Sequence, residues 1–509
     1  MRRTSLIALC LLLASPVVAA QPPTPPSAEQ VRAAEQALAA LDEERFRTDQ
    51  AYAGAIADHL VVLEAAPGKT ESQRAALRNT LVYALAAAGR HDRAEQAADV
   101  LLRAGSRDGR VYDVALLAAH RAGRWPRVAE LIGRALAELS PEEQAALLSA
   151  ERVSWHMQAI RAAGDSPSRG RIAEALLTAG WPGETEPPSA TDWLRQILID
   201  RALERGDVAE ARRFAGEMQG LSAALQLATD RRYDALMAGA DRLAGIRAAI
   251  DRQDRFTAAR LAVRPEDVER LIDRAHFLRS TGRDRAVLDL LLPLMSDVRI
   301  VAGQDSRAPW LVNEAAYSLI ATGAAGEAVE LMRPLFGMDV DANPELVSTG
   351  INFISMLWQA GQSEEALQRA ESFLARAARH TSDYGKMWLS SNAVCAATDL
   401  RRTADAEAWL RRMAAIADSN RSAMLQALLC RGDLDAAEPV LLSALADEST
   451  RTSAILWLQD YQPLAHADAA QRLREAFSRL GARPAVAAAL ARLGHRLELP
   501  LPPVTYGWY

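Results

Sequence analysis

Side chains able to do chemistry occur along this 509-residue chain, but they are not gathered into a set that could carry a reaction. The eight histidines, His59, His91, His120, His156, His276, His380, His466 and His495, are scattered. Each reads as a solvated or packed side chain, because a general base needs a nucleophile or substrate proton within hydrogen-bond reach. No His-Glu-x-x-His helix, Gly-x-Ser-x-Gly turn or clustered Cys/His set is present, so zinc hydrolysis and serine acyl transfer lack their ligands and nucleophile. Gly68-Lys69-Thr70 has the ending of a phosphate-cradling loop. That loop also needs a preceding strand and a glycine five positions before Gly68, where Leu63 stands, so the match is coincidental. Carboxylates are plentiful, yet none is nominated as half of an acid/base pair. Asn420-Arg421-Ser422 fits a glycosylation sequon, a weak signal in any chain. The expectation is no enzyme, no cofactor and no metal site.

The chain opens Met1-Arg2-Arg3, continues with an apolar run over residues 6–13 and reaches Pro16-Val17-Val18-Ala19-Ala20. A positive start, a short apolar stretch and small residues form a secretory signal, with cleavage expected after Ala20. Cys10 lies inside the apolar run after Leu9, which argues against lipid attachment, and Arg2-Arg3 alone does not make a twin-arginine signal. The run is too short to cross a bilayer, so the mature chain is expected to be soluble. Losing Arg2 and Arg3 and no acid takes the net charge from −6 to about −8, which offers no basic field to nucleic acid. Lys69 and Lys386 are the only lysines, so arginine carries nearly all the positive charge. With abundant alanine this suggests a GC-rich bacterial genome and a periplasmic or secreted destination. Cys395 and Cys430 both sit in apolar helical patterns. Two buried structural thiols are the default reading, and a disulfide between neighbouring repeats is the alternative.

Helical spacing recurs throughout, and no segment alternates apolar and polar residues long enough to propose a sheet. Residues 21–27 are a proline-rich spacer. Ser27 with Gln30, Thr70 with Gln73 and Ser140-Pro141-Glu142-Glu143 read as helix starts, in which hydroxyl and side-chain acceptor satisfy each other's orphan backbone donors. Asn343-Pro344-Glu345 is expected to start a helix in the same way. Turn-forming stretches at 181–190, 301–309 and 337–344 suggest helical blocks over 28–180, 190–300 and 309–498. A proline-broken aromatic tail occupies residues 499–509.

One unit repeats: a small apolar residue, leucine three positions on, glycine four after that, and alanine or valine five further. Val82-Leu85-Gly89-Ala94, Ala275-Leu278-Gly282-Val287, Ala316-Leu319-Gly323-Ala328, Ile354-Leu357-Gly361-Ala366 and Leu425-Leu428-Gly432-Ala437 carry it. Weaker copies place Gly123 before Val128, Gly206 before Ala211, Gln253 before Ala258 and Thr403 before Ala408. The apolar pair buries one face of a first helix, glycine permits the reversal, and the small residue lets a second helix approach. A lone hairpin cannot cover its apolar face, so successive units must stack on a shared core. Over residues 70–460 the chain resembles the tetratricopeptide-repeat (TPR) superfamily. Gly89 and Gly123 are 34 residues apart, that family's period, and Gly123-Arg124-Trp125 through Val128 keeps its order of glycine, aromatic and small residue. The copies are degenerate: later turn glycines are 41 and 38 residues apart, and the intervals from Gly123 to Gly206 and from Gly206 to Gly282 each need an extra, poorly marked unit.

The resemblance implies an all-α superhelix, a TPR-like solenoid whose concave face is lined by first helices. Counting back from the turns nominates Asn79, Tyr83, Asp113, Arg121, Trp193, Gln196, Asp200, His276, Arg279, Trp310, Asn313, Tyr317, Trp358 and Gln359 as inward-facing, partner-binding residues. An aromatic beside an amide or charge grips a peptide or sugar, since the ring supplies area and the polar group direction. The bland alternative is ordinary helix packing. The positions with which family members clamp a terminal carboxylate do not match here. The implied function is a non-catalytic envelope scaffold that binds a protein or polysaccharide, in envelope assembly or polysaccharide export. The soluble part of an outer-membrane export porin system is one alternative, although a barrel needs at least eight strands. A peptidoglycan-acting enzyme of the lytic transglycosylase type is another, without any segment resembling its catalytic domain.

Overall fold

The computed structural model describes residues 25–181, 188–295, 298, 305–463 and 468–503. The expected signal 1–20, spacer residues 21–24 and tail residues 504–509 lie outside them. Among the described residues the chain is all-α, and its only β-type pairings are two isolated bridges, Asp230 with Gly494 and Asp460 with Glu498. It divides into two compact units, Met1–Thr185 and Glu186–Tyr509.

Unit 1 runs α1 (Ala28–Ala39), α2 (Glu43–Thr48), α3 (Gln50–Ala65), α4 (Glu71–Ala87), α5 (His91–Arg103), α6 (Gly109–Arg121), α7 (Trp125–Glu138), α8 (Pro141–Leu147), α9 (Ala150–Ala162) and α10 (Ser166–Thr178). Helices α3 to α7 each pack on the next, α7 packs on α10, and α10 pairs with α9. The capping boxes form at Ser27/Gln30, Thr70/Gln73 and Ser140/Glu143. Thr70 thus caps α4, and Lys69 pairs with Glu35 at 3.3 Å, so Gly68-Lys69-Thr70 serves as a helix start.

Unit 2 begins with α11 (Asp192–Glu204), α12 (Val208–Gly216), α13 (Leu221–Thr229), α14 (Arg242–Val263), α15 (Val268–Ser280) and α16 (Asp284–Leu291). It continues with α17 (Pro309–Ala321), α18 (Ala325–Phe336), α19 (Leu346–Gln359), α20 (Ser363–Ala377), α21 (Asp383–Asp399) and α22 (Thr403–Ala414). Then come α23 (Arg421–Cys430), α24 (Leu434–Ala446), α25 (Arg451–Trp457), α26 (Asp468–Gly481) and α27 (Pro484–Leu493). First helices α15, α17, α19, α21 and α23 lie side by side, each backed by a second helix, and packing is continuous from α15 and α16 onto α17. One buried apolar cluster extends from Leu271 to Ala427 and takes in Ala469 of α26. The result is a TPR-like solenoid of helical hairpins, held by nearest-neighbour burial. Its ends also meet, because α25 packs on α13 and α27 on the turn Arg231–Tyr233.

The repeat glycines do what their spacing requires. Gly89, Gly123, Gly206, Gly282, Gly323, Gly361 and Gly432 all take left-handed conformations, with φ between 65° and 92°. The extra unit expected between Gly123 and Gly206 is present as the α9–α10 hairpin, reversed at Gly164 with φ 72°. Several other sequence expectations need correction. No turn occurs at Gln253: α14 runs through it unbroken and leaves Ala258 exposed, since nothing there favours leaving the helix. The turn assigned to Thr403 lies two residues earlier, at Arg401 with φ 59°, and the buried small residue five further on is Ala406. Asn343-Pro344-Glu345 precedes a helix that begins at Leu346; the Asn343 side chain donates to Asp339 instead of capping. Cys395 and Cys430 are not two thiols: their Cα atoms are 5.2 Å apart and they form a disulfide between the first helices α21 and α23.

Arg401 is the only described non-glycine residue with positive φ. Arg401→Gly removes the Cβ that crowds this conformation, and we expect unit 2 to gain about 0.5–1 kcal/mol, read as a higher urea midpoint at unchanged slope. A lower midpoint would mean that the arginine side chain more than offsets its backbone cost. Reducing the Cys395–Cys430 bond, which spans 35 positions, should cost unit 2 about 2–4 kcal/mol in the same assay and leave unit 1 unchanged.

Candidate functional site

On α6 the residues Val111, Tyr112, Val114, Ala115, Leu116, Ala118 and Ala119 are buried. The opposite stripe of Arg110, Asp113, Leu117 and His120 stays at the surface, because helical spacing returns to one face at three and seven positions. Each of its polar members meets a side chain from a neighbouring first helix. The Arg110 guanidinium lies over the Tyr83 ring of α4, 5.7 Å from its centre. Asp113 is ion-paired with Arg152 of α9. The His120 ring stacks on Trp155 of α9, with centroids 3.6 Å apart and planes 19° from parallel. Asn79 donates to Asp108 at 3.4 Å, and Arg121 reaches His91 Nδ1 at 3.2 Å. Burial, with Asp108 and Asp113 nearby, pushes the Tyr83 phenol up, so it stays neutral.

Trp155 is 44% exposed and therefore presents indole surface to solvent from a fixed position. His120 stacks against it, Trp125 meets His120 edge-on at 5.3 Å, and His120 Nδ1 lies 2.9 Å from His156 Nδ1. His156 is 1% exposed. Burial, reinforced by His120 and Arg152, lowers its pKa to about 4, so at neutral pH one neutral imidazole donates to the other. The cluster is an aromatic platform flanked by a charge pair, a geometry suited to gripping a ligand.

In unit 2 most nominated residues are engaged within the chain. Gln196 donates to Asp200 at 3.0 Å and to the Tyr233 hydroxyl at 2.8 Å, while that buried hydroxyl donates to Asp200 at 2.8 Å. Arg279 binds Glu314 through two bonds of 2.5 and 3.2 Å and lies over the Tyr317 ring, and His276 stands 3.5 Å from Glu314. Burial disfavours the Glu314 carboxylate, but the Arg279 charge prevails and holds its pKa well below the usual range. Asn313 accepts from Asn352 at 2.9 Å, and Gln359 donates to Ser355 at 3.1 Å. Trp358 donates to Asp399 at 3.0 Å, and Asp399 also accepts from Arg472 of α26 at 3.1 Å. Helix α26 lies against the first helices α19 and α23, so the chain covers much of this face itself. Trp193 and Trp310 remain exposed at 36% and 38%. Among the described residues, no group of three or more His, Cys, Asp or Glu could hold a metal ion, and no helix is long and apolar enough to cross a membrane.

No family model and no curated protein matches the chain. Among solved structures, it is similar to a chain of the Naa15/Naa10 complex bound to HypK-THB, at 13% identity over 93% of this chain and 75% of that one, with a TM-score of 0.27. It is also similar to a chain of the APC/C hetero-tetramer Cut9–Hcn1, at 12% identity over 92% of this chain and 99% of that one, with a TM-score of 0.25. Scores this low carry no argument, so the architecture rests on the helix packing described above.

Arg110, His120, Arg152 and Trp155 were not nominated from the sequence. The first two stand three positions before and seven after Asp113, and stripe periodicity on α6 would have found them. The other two were hidden because the α9–α10 repeat was unmarked.

Burial of neutral His156 generates a pH signature. Its folded pKa lies below the unfolded value of 6.5, so its contribution is complete above pH 6.5 and is lost as pH falls towards about 4. Unit 1 should lose about 3 kcal/mol over that window in urea titrations. His156→Gln should flatten the profile; a variant with the same acid loss would place its origin elsewhere.

Proposed function

We propose that this chain is a non-catalytic, TPR-like scaffold, exported to the periplasm or beyond, that binds an extended protein or polysaccharide partner. The binding face is that of α4, α6 and α9 in unit 1, and the proposed role is in envelope assembly or polymer export. The observation that carries this reading is Trp155, held by His120 yet 44% exposed, next to the Asp113–Arg152 and Arg110–Tyr83 pairs. An indole stacks on a sugar ring or an apolar side chain, and the Asp113–Arg152 ion pair with the Arg110 guanidinium over the Tyr83 ring offers polar groups that orient a polar backbone. The disulfide supports export, since such bonds persist in oxidising compartments.

The test has two arms. Affinity capture from envelope extracts, scored for protein and for carbohydrate, should recover a partner that Trp155→Ala and Arg110→Ala, both at solvent-facing positions, reduce at least tenfold while unit 1 stays folded. Retention by both variants would remove this face from the proposal. Fractionation with N-terminal sequencing should find the mature chain outside the cytoplasm, beginning at Gln21. A cytoplasmic chain that keeps Met1, or a clearing zone on a peptidoglycan zymogram, would overturn the scaffold reading.

A further inference from the structure

The segment that follows α27 lies in unit 2 as a bound peptide would. Residues 495–499 run without helix before bends at 500 and 501, and the stretch from His495 to Leu501 pairs with two distant stretches of backbone. His495 N donates to Thr229 O at 2.7 Å, Asp460 N to Leu497 O at 3.0 Å, Leu499 N to Asp460 O at 2.7 Å, and Gln462 N to Leu501 O at 2.9 Å. The buried Gln459 side chain donates to His495 O at 3.0 Å and accepts from Leu497 N at 2.9 Å. Leucine recurs at 497, 499 and 501, the spacing at which an extended chain returns to one side. Leu499 and Leu501 are buried with Leu221, Leu225, Ala228, Ile246 and Leu456, and Leu497 packs beside them. Main-chain pairing along an edge with apolar pockets for alternate residues is the geometry of extended-peptide recognition.

Two features make the segment a clasp. It joins the beginning of unit 2 to its end: His495 Nε2 is 2.7 Å from Asp234, Arg231 donates to Gly494 O at 3.2 Å, and Arg496 binds Asp460 through bonds of 2.8 and 2.6 Å. It also stands behind α26, because Arg474 of α26 donates to Gln459 O at 3.1 Å. The same helix reaches across to Asp399, the partner of Trp358.

We propose that residues 495–503 are a releasable latch occupying a peptide slot, and that an extended peptide with leucine at alternate positions opens the first-helix face of unit 2 by competing for it. The occupant in this structure is the chain's own segment. Release removes the Gln459 bonds that back α26, and so frees the helix that covers α19 and α23.

Hydrogen exchange on the full chain and fluorescence anisotropy with a labelled synthetic peptide of residues 495–503 test the proposal. In Leu499→Asp/Leu501→Asp, amides of α26 should exchange at least tenfold faster than in the unaltered chain, with α15 to α18 unchanged. The peptide should bind this variant saturably and restore slow exchange, while a peptide carrying aspartate at 499 and 501 should not. If the double variant fails to fold, His495→Ala/Arg496→Ala loosens the same clasp from a part-buried and an exposed position without touching its buried leucines, and a rise of about threefold confined to α26 is expected. Unchanged α26 exchange in the folded variants, loss of protection throughout unit 2, or absence of saturable peptide binding would each overturn the proposal.

Discussion

A helical hairpin with an apolar stripe on each helix cannot cover both stripes alone, and this constraint governs both units. The small residue five positions after each turn shows how it is met. Ala94, Val128, Ala211, Val287, Ala328, Ala366 and Ala437 are all fully buried. A larger side chain there would push the second helix away and open voids along the shared core. The left-handed residue at the turn and the small residue after it act together: one reverses the chain, and the other lets the returning helix reach contact distance.

Stacking by apolar burial alone would tolerate sliding, and polar side chains on the first helices of unit 2 oppose it. Arg279 with Glu314, Asn313 with Asn352, Asn392 with Gln426 and Trp358 with Asp399 each join one first helix to the next. A shifted register would leave buried polar groups unpaired, which costs more than the pairs contribute. The disulfide between α21 and α23 fixes one further step of the stack. The polar stripe in unit 1 is different, because its pairs are part-exposed and end in the Trp155 platform. Similar first-helix residues thus fix register in one unit and meet solvent in the other.

Open arrays leave an unpaired apolar face at each end. Unit 2 meets this by bringing its ends together, with Leu499 and Leu501 completing the small core around Leu221 and Leu225. Gly494 makes the approach possible, since a Cβ there would stand 2.9 Å from Ile455 and 3.0 Å from the Thr229 carbonyl.

The sequence alone determined the helices, the capping boxes and seven turn glycines, because each depends on a few neighbouring residues. It set one turn two residues late, because Arg401 replaces glycine there, and it left the α9–α10 repeat unmarked, because Arg169 stands five positions after Gly164, where alanine or valine was sought. Counting back from turns located first-helix side chains, but it could not tell a packed tyrosine such as Tyr317 from an exposed indole such as Trp155. Exposure depends on what the rest of the chain lays over a helix. The cover on α19 and α23 comes from residues far along the sequence, and the clasp joining Asp234 to His495 spans 261 positions. Local periodicity carries no information about such contacts; only the folded chain decides them.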